Sequence, residues 1–90
     1  MLSLEIKVAR FNLFEGKGLT RAYADVILND SFVVKGFRVI DGKNGIFVGM
    51  PGKLDEDGKW YDSAHPVTQE TKDALTNSIL ATYKERQPKG

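Results

Sequence analysis

Apolar and polar residues alternate along the first half of the chain, a pattern that is typical of β-strands with one buried face. Near the N-terminus every second residue is apolar, at Leu2, Leu4, Ile6 and Val8. The same period returns at Ala22, Ala24, Val26 and Leu28. Because successive side chains of a strand point to opposite faces, each segment predicts a half-buried strand. Residues 11–18 hold two glycines and no sustained alternation, so we expect a connecting loop there.

Two more strands are predicted from Phe32 to Ile40 and from Ile46 to Met50, where β-branched and aromatic residues are dense. The segment Asn29-Asp30-Ser31 predicts a turn, because short polar side chains bond to their own backbone and tolerate left-handed geometry. Gly36 lies within the third strand and suggests a bulge or a close backbone approach.

The segment DGKNG at residues 41–45 has two interpretations. A phosphate-binding loop needs two glycines five residues apart, then lysine and a hydroxyl residue before a helix. Here Gly42 and Gly45 are three apart, no hydroxyl residue follows, and the next apolar run has strand character. We therefore predict a hairpin of three to five residues, in which glycine and asparagine supply positive φ.

The last third of the chain predicts a loop and a helix. Residues 51–59 are polar, with an acidic run at 55–57, and indicate an exposed loop or hairpin tip before a short fifth strand at Trp60. Thr68 is a candidate N-cap, and Pro88 is expected to stop the helix. The helix should bury an apolar stripe made of Leu75, Ile79, Leu80 and Tyr83. The predicted fold is α+β, a twisted antiparallel sheet of about five strands with a C-terminal helix.

Length and composition suit one domain over residues 1–90, since the chain has 90 residues of which 41% are apolar. Cysteine is absent, so disulfides and thiolate metal sites are excluded. No apolar run approaches the ~18 residues of a membrane span. The N-terminus alternates instead of forming the apolar run of a signal peptide, and we expect a cytoplasmic protein.

Catalytic and metal sites find little support in the sequence. His65 is the only histidine, and on a strand Ser63 would share its face while Asp62 would point away. The acidic run Asp55-Glu56-Asp57 lacks the spacing of a calcium loop and indicates a solvated tip. We expect no enzyme activity, no cofactor, no metal and no small-molecule substrate.

Several ordered motifs between residues 33 and 66 resemble the stage V sporulation protein G (SpoVG) family, also called septation proteins. They are Arg38-Val39-Ile40-Asp41-Gly42, Asn44-Gly45, Ile46-Phe47-Val48, Met50-Pro51 and Ala64-His65-Pro66. The resemblance extends from about Arg21 to Tyr83. It implies an antiparallel sheet with a C-terminal helix, a homodimer formed through sheet edges, and a small bacterial regulator of division, sporulation and gene expression that binds DNA or RNA.

The resemblance also suggests candidate residues for nucleic-acid binding. Family members often carry basic residues after the Met-Pro pair and at the start of the final helix, and Lys53 and Lys72 match those positions. The full candidate set is Lys53, Lys59, Lys72 and Arg86. Trp60, Tyr61 and Tyr23 could stack on bases, although packing within the domain is the more usual role.

The charge of the chain leaves an alternative function open. Thirteen basic and twelve acidic residues give a net charge of +1, so nucleic-acid contact requires a local basic patch, doubled in a dimer. The chain departs from the family pattern at Gly52 and Leu54 and in the acidic residues that follow. Negative charges within a Debye length of ~8 Å weaken the field of Lys53. The alternative is a protein-interaction module that binds another division or regulatory protein without nucleic acid.

Overall fold

The computed structural model describes residues 4–14, 16 and 18–86. They form six strands and one helix, in the order β1 (Ile6–Leu13), β2 (Thr20–Leu28), β3 (Phe32–Gly42), β4 (Gly45–Gly49), β5 (Gly52–Leu54), β6 (Trp60–Asp62) and α1 (Gln69–Arg86). The first four strands make an antiparallel sheet in chain order, and β5 pairs only with β6. The predicted α+β class with a C-terminal helix is confirmed. The strands number six and divide between two sheets, where about five in one sheet were expected.

The helix α1 packs against one face of the four-stranded sheet, which we call the inner face. The alternating residues of β2 supply its centre, since Ala22, Ala24 and Val26 are almost wholly buried. The predicted helical stripe meets them through Leu75, Ile79 and Tyr83, all buried, while Leu80 packs at the edge. Both sequence periods, two for the strand and four for the helix stripe, are therefore confirmed as the two sides of one core.

The first strand was placed too early by sequence pattern. It begins at Ile6 and continues through Leu13, so residues 11–13 are strand and not the expected loop. The register with β2 shifts between Val8 and Arg10, which marks a β-bulge. A bulge adds a residue on one strand and breaks the period of two, so Phe11 points inward although simple alternation from Ile6 would turn it outward. The expected strand residue Leu2 lies outside the described part of the chain.

The turn at Asn29-Asp30-Ser31 is confirmed as a tight hairpin turn between β2 and β3. Asn29 and Asp30 both have positive φ, at 52° and 53°, as a two-residue type I′ turn requires. The Ser31 amide donates to the Leu28 carbonyl at 2.9 Å. The Asn29 side chain also accepts from the amide of Glu5 at 2.8 Å, which ties the start of β1 to this turn.

Gly36 forms the predicted irregularity in β3. Its φ is +98°, and the register with β2 shifts between Ala24 and Val26, so Asp25 faces both Lys35 and Gly36. The Gly36 amide donates to the Asp25 carboxylate at 3.3 Å. The bulge returns Phe37 to the inner face, where it is buried.

Residues 41–45 form the predicted hairpin between β3 and β4. They do not form a phosphate-binding loop, because a strand and not a helix begins at Gly45. The loop is shorter than expected: Gly42 pairs with Gly45, and only Lys43 and Asn44 lie between them. Gly45 takes the positive φ, at 121°. A loop this short is possible because glycine adopts this angle without steric cost.

The helix begins as predicted. Thr68 caps it, since its hydroxyl accepts from the Thr71 amide at 3.2 Å. Glu70 lies in the first turn, and Lys84 and Arg86 lie in the last turn, where their charges suit the helix dipole. Pro88, the expected stop, lies outside the described residues. Among the described residues, no helix is long and apolar enough to cross a membrane.

Substitutions on the buried and exposed sides of α1 should differ in their effect on the free energy of unfolding. Ile79 has no exposed surface, so Ile79→Ala should lower the free energy of unfolding by ~2–5 kcal/mol in urea denaturation, because it leaves a cavity against the sheet. Lys84→Ala, on the exposed side of the same helix, should change it by no more than ~0.5 kcal/mol. Equal losses for the two variants would contradict this account of the core.

Candidate nucleic-acid interface

A half-buried arginine, Arg38, fixes the small β5–β6 hairpin against the sheet. Arg38 lies on β3, and its Nη2 donates to the Met50 carbonyl at 3.2 Å. Its guanidinium also lies over the Trp60 ring, 4.2 Å from the ring centroid, a geometry in which cation and ring attract. The Arg38 Nε is buried and has no hydrogen-bond partner within the described residues. The Arg38 side chain therefore links the four-stranded sheet to the hairpin.

Two glycines leave room for this arrangement. Gly49 pairs with Arg38 across the sheet, and a Cβ at Gly49 would lie 2.6 Å from Arg38 Nη2. A Cβ at Gly52 would lie 2.3 Å from the Tyr61 carbonyl oxygen and 2.8 Å from the Trp60 ring. Glycine at position 52 is thus required by the packing of this hairpin.

The acidic tip of the β5–β6 hairpin has a structural role at one residue. The Asp55 carboxylate accepts from the amides of Asp57 at 2.9 Å and Lys59 at 3.1 Å. The Asp55 amide in turn donates to the Lys59 carbonyl at 2.9 Å. Asp55 therefore closes the loop, while Glu56 and Asp57 are exposed. The expected exposed hairpin tip is confirmed.

Lys53 and Lys59 are both exposed on this hairpin. Lys53 pairs with Tyr61 across the strands, and Tyr61 is 54% exposed. Directly opposite side chains in an antiparallel pair are ~5 Å apart at Cβ. The hairpin thus presents a cation beside an aromatic ring on the side that faces away from Trp60 and the sheet.

Lys72 and Arg86 lie at opposite ends of α1. They are 14 residues apart, or about 21 Å along the axis at 1.5 Å per residue. Lys72 lies at the N-terminal end of α1, where its neighbour Thr71 lines a hollow with Met50, which shortly precedes β5. Arg86 lies at the other end, 6.0 Å from the ring centroid of Phe11. The four candidate cations therefore divide into a group of three, which we call the hairpin-end cations (Lys53, Lys59 and Lys72), and the distant Arg86.

The aromatic residues are less packed than expected. Tyr23 and Trp60 are each 41% exposed, although Tyr23 contacts the Phe14 ring edge-on at 5.5 Å and Trp60 donates to Asp62 at 2.8 Å. Sequence reasoning missed Phe14 and Phe47 as exposed aromatic residues, at 38% and 50%. Phe47 alternates with Ile46 and Val48 in an apolar run, so its face could be assigned only once the register was known.

The structure also shows the surroundings of the residues considered for a catalytic or metal site. His65 is exposed in an irregular segment between β6 and α1. No cluster of histidine, aspartate and glutamate able to hold a metal ion occurs among residues 4–14, 16 and 18–86.

The role of Arg38 can be tested with the only tryptophan of the chain, Trp60. Arg38→Lys keeps the charge but cannot both donate to the Met50 carbonyl and lie flat on the indole ring. We expect a loss of about 1–3 kcal/mol in stability and a shift in Trp60 fluorescence emission. Arg86→Lys is the matched control and should alter neither quantity. An unchanged emission spectrum in Arg38→Lys would refute the anchoring role.

Comparisons with known proteins agree with the sequence motifs. The SpoVG family model matches residues 1–85. A SpoVG septation protein of Archaeoglobus fulgidus is 37% identical over 83 residues, which cover 92% of this chain and 98% of the relative. Those of Oceanobacillus iheyensis and Listeria monocytogenes are 39% and 40% identical, over 91% and 90% of this chain and 85% and 79% of the relatives. With its Arg38 motif and these matches along almost its whole length, the chain belongs to the SpoVG family.

Proposed function

We propose that this protein is a homodimeric nucleic-acid-binding regulator connected with cell division, septation and sporulation-type gene control. The connection with septation is supported by the names of the relatives. Nucleic-acid binding is supported by one observation above all, the three exposed hairpin-end cations, of which Lys53 lies opposite the exposed Tyr61 across the strands. The cations would contact phosphates, with at most modest reading of bases.

Arg86 would act as a separate contact. At about 21 Å from Lys72 along the helix, it lies well beyond the Debye length of ~8 Å. One duplex base pair rises 3.4 Å, so a ligand must span roughly six base pairs to reach both ends of α1. Arg86 should therefore matter for long nucleic acids and not for the shortest ones.

The dimer would form through β4. Both β1 and β4 are edges of the four-stranded sheet, but β1 carries Lys7, Arg10 and a bulge, which are devices that protect an edge from pairing. In contrast, β4 has the sequence Gly-Ile-Phe-Val-Gly, without charge or bulge. Antiparallel pairing of two β4 strands about a two-fold axis would join the two sheets into one.

Salt titration tests the nucleic-acid proposal. Binding to a short DNA duplex should weaken linearly with log salt, with a slope of about −0.9 per phosphate neutralised. Lys53→Ala should weaken binding and reduce that slope by roughly one per protomer contact. Lys43→Ala, at the far end of β4 from Met50, removes the same charge and should leave binding of the short duplex unchanged.

Two outcomes would count against this proposal. Absence of binding to DNA and RNA at low ionic strength would reject it. In that case a protein recovered by pull-down after nuclease treatment would favour the alternative, a protein-interaction module. The same uncharged β4 edge supports that alternative, because an exposed sheet edge can accept a peptide strand.

The dimer predicts a mass of two chains by light scattering at micromolar concentration. Ile46→Lys places a charge on β4 and should give a single-chain mass, since charges on an edge strand oppose pairing. Ala9→Lys places the same charge on the exposed bulge of β1 and should remain dimeric. A single-chain mass for the unmodified protein would contradict the dimer.

A further inference from the structure

The four-stranded sheet has a second face on the side opposite α1, which we call the outer face. The hairpin-end cations are not part of it. The strand register aligns Asn12, Tyr23, Arg38 and Gly49 across this face. Ile40 and Phe47 form the next row toward the β3–β4 turn. The outer face is therefore built from all four strands and is continuous from β1 to β4.

Aromatic rings on the outer face are exposed to solvent. Phe14, Tyr23, Phe47 and Trp60 are 38–50% exposed. On the inner face Phe11 and Phe37 belong to the core and are 8% and 3% exposed, and among the described residues only Phe32, at the start of β3, is exposed, at 63%. Neighbouring strands lie ~4.8 Å apart and residues of one strand rise ~3.4 Å each, so Tyr23 on β2 and Phe47, two strands across and one row along, are about 12 Å apart. Two rings at this separation would contact separate partners.

Trp60 is held rigidly at this face. One contact is the Arg38 guanidinium, and the other is the hydrogen bond from its indole nitrogen to Asp62. Arg38 pairs with Tyr23 on β2 and with Gly49 on β4, and its guanidinium reaches the Met50 carbonyl just after β4, so Trp60 lies on the β4 side of the outer face. A ring that is already fixed loses little conformational entropy when a ligand stacks on it.

The outer face carries more cations than carboxylates. Its strand positions carry Lys7, Arg10, Lys35 and Arg38 against Asp25, and two further carboxylates lie at its margins, Asp30 beside Lys7 and Asp62 beside Trp60. Lys7 is the one of these cations that is paired with an acid among the described residues, through Asp30 at 3.0 Å. That hydrogen bond raises the pKa of Lys7, so Lys7 is charged and paired with Asp30. Arg10 and Lys35 are exposed.

From these observations we infer that the outer face binds single-stranded nucleic acid by stacking unpaired bases on Tyr23, Phe47 and Trp60. The inference rests on the proposed nucleic-acid function and specifies its ligand class. Aromatic rings on a sheet recognise bases because every base has a π-face, and cations around them attract the phosphates. In a duplex the base faces are covered by neighbouring bases, so this site should discriminate against duplexes.

A second copy of this chain fits the same face less well. A two-fold dimer places the same patch of both subunits in contact, which would bring Arg10 and Lys35 toward their own copies. A polyanion instead complements them. Edge pairing through β4 would leave the outer faces side by side on the same side of the joined sheet, open to one strand of nucleic acid.

The test compares binding of a 15-nucleotide oligothymidine and of a duplex of equal length at two salt concentrations. Tyr23→Leu and Phe47→Leu keep an apolar side chain but remove the aromatic ring. Each should weaken oligothymidine binding by at least ~5-fold and leave the salt slope and the duplex affinity unchanged. Phe32→Leu is the matched control, because Phe32 is 63% exposed but pairs with Leu28 on the inner side of the sheet. Trp60 fluorescence should be quenched by oligothymidine and not by the duplex.

The outcomes separate the stacking site from the proposed function. Retained oligothymidine affinity in Tyr23→Leu and Phe47→Leu would overturn the stacking site and leave nucleic-acid binding intact. If both variants lose dimer mass and bind both ligands more weakly, the outer face buries a second copy and the inference is wrong. Absence of any nucleic-acid binding by the unmodified protein would overturn both proposals.

Discussion

One helix is available to cover a four-stranded sheet, and this constraint shapes the rest of the molecule. The helix buries Leu75, Ile79 and Tyr83 against the inner face. In the part of the chain that the structure describes, no second helix exists to cover the outer face. Apolar and aromatic residues that a larger protein would bury between layers are consequently at the surface here. The exposed rings of the outer face follow from the lack of a second layer to cover them.

The β5–β6 hairpin depends on a single side chain for its position. Arg38 reaches from the middle of the sheet to the Met50 carbonyl and to the Trp60 ring. Gly49 and Gly52 give it and the indole ring the necessary space. Arg38, the glycines at the end of β4 and the start of β5, and Trp60 after the acidic tip thus form one packing unit. Lys53 and Lys59 lie on the hairpin that this unit holds. Their positions are therefore set by the contacts of Arg38 and not by contacts of the lysines themselves.

Local chemistry explains the predictions that succeeded. The turn at Asn29-Asp30 depends on two residues that accept positive φ, and the helix start depends on the Thr68 hydroxyl. The bulge at Gly36 was indicated by a glycine inside a strand pattern. The first strand was misplaced because a bulge adds one residue and inverts the alternation after Val8. No local signal marks that insertion, since Ala9 suits either a regular strand or a bulge.

By itself the sequence determined the α+β class, the buried stripe of the helix, the turns and the family motifs, because each is encoded by neighbours in the chain or by a fixed period. Tertiary structure decided which residues act together. It separated Arg86 from Lys72, joined Trp60 to Arg38, split the strands into two sheets, and placed Tyr23 and Phe47 on one exposed face. These relations depend on strand register and on which face the only described helix covers, and both are set by long-range packing that residue order alone does not specify.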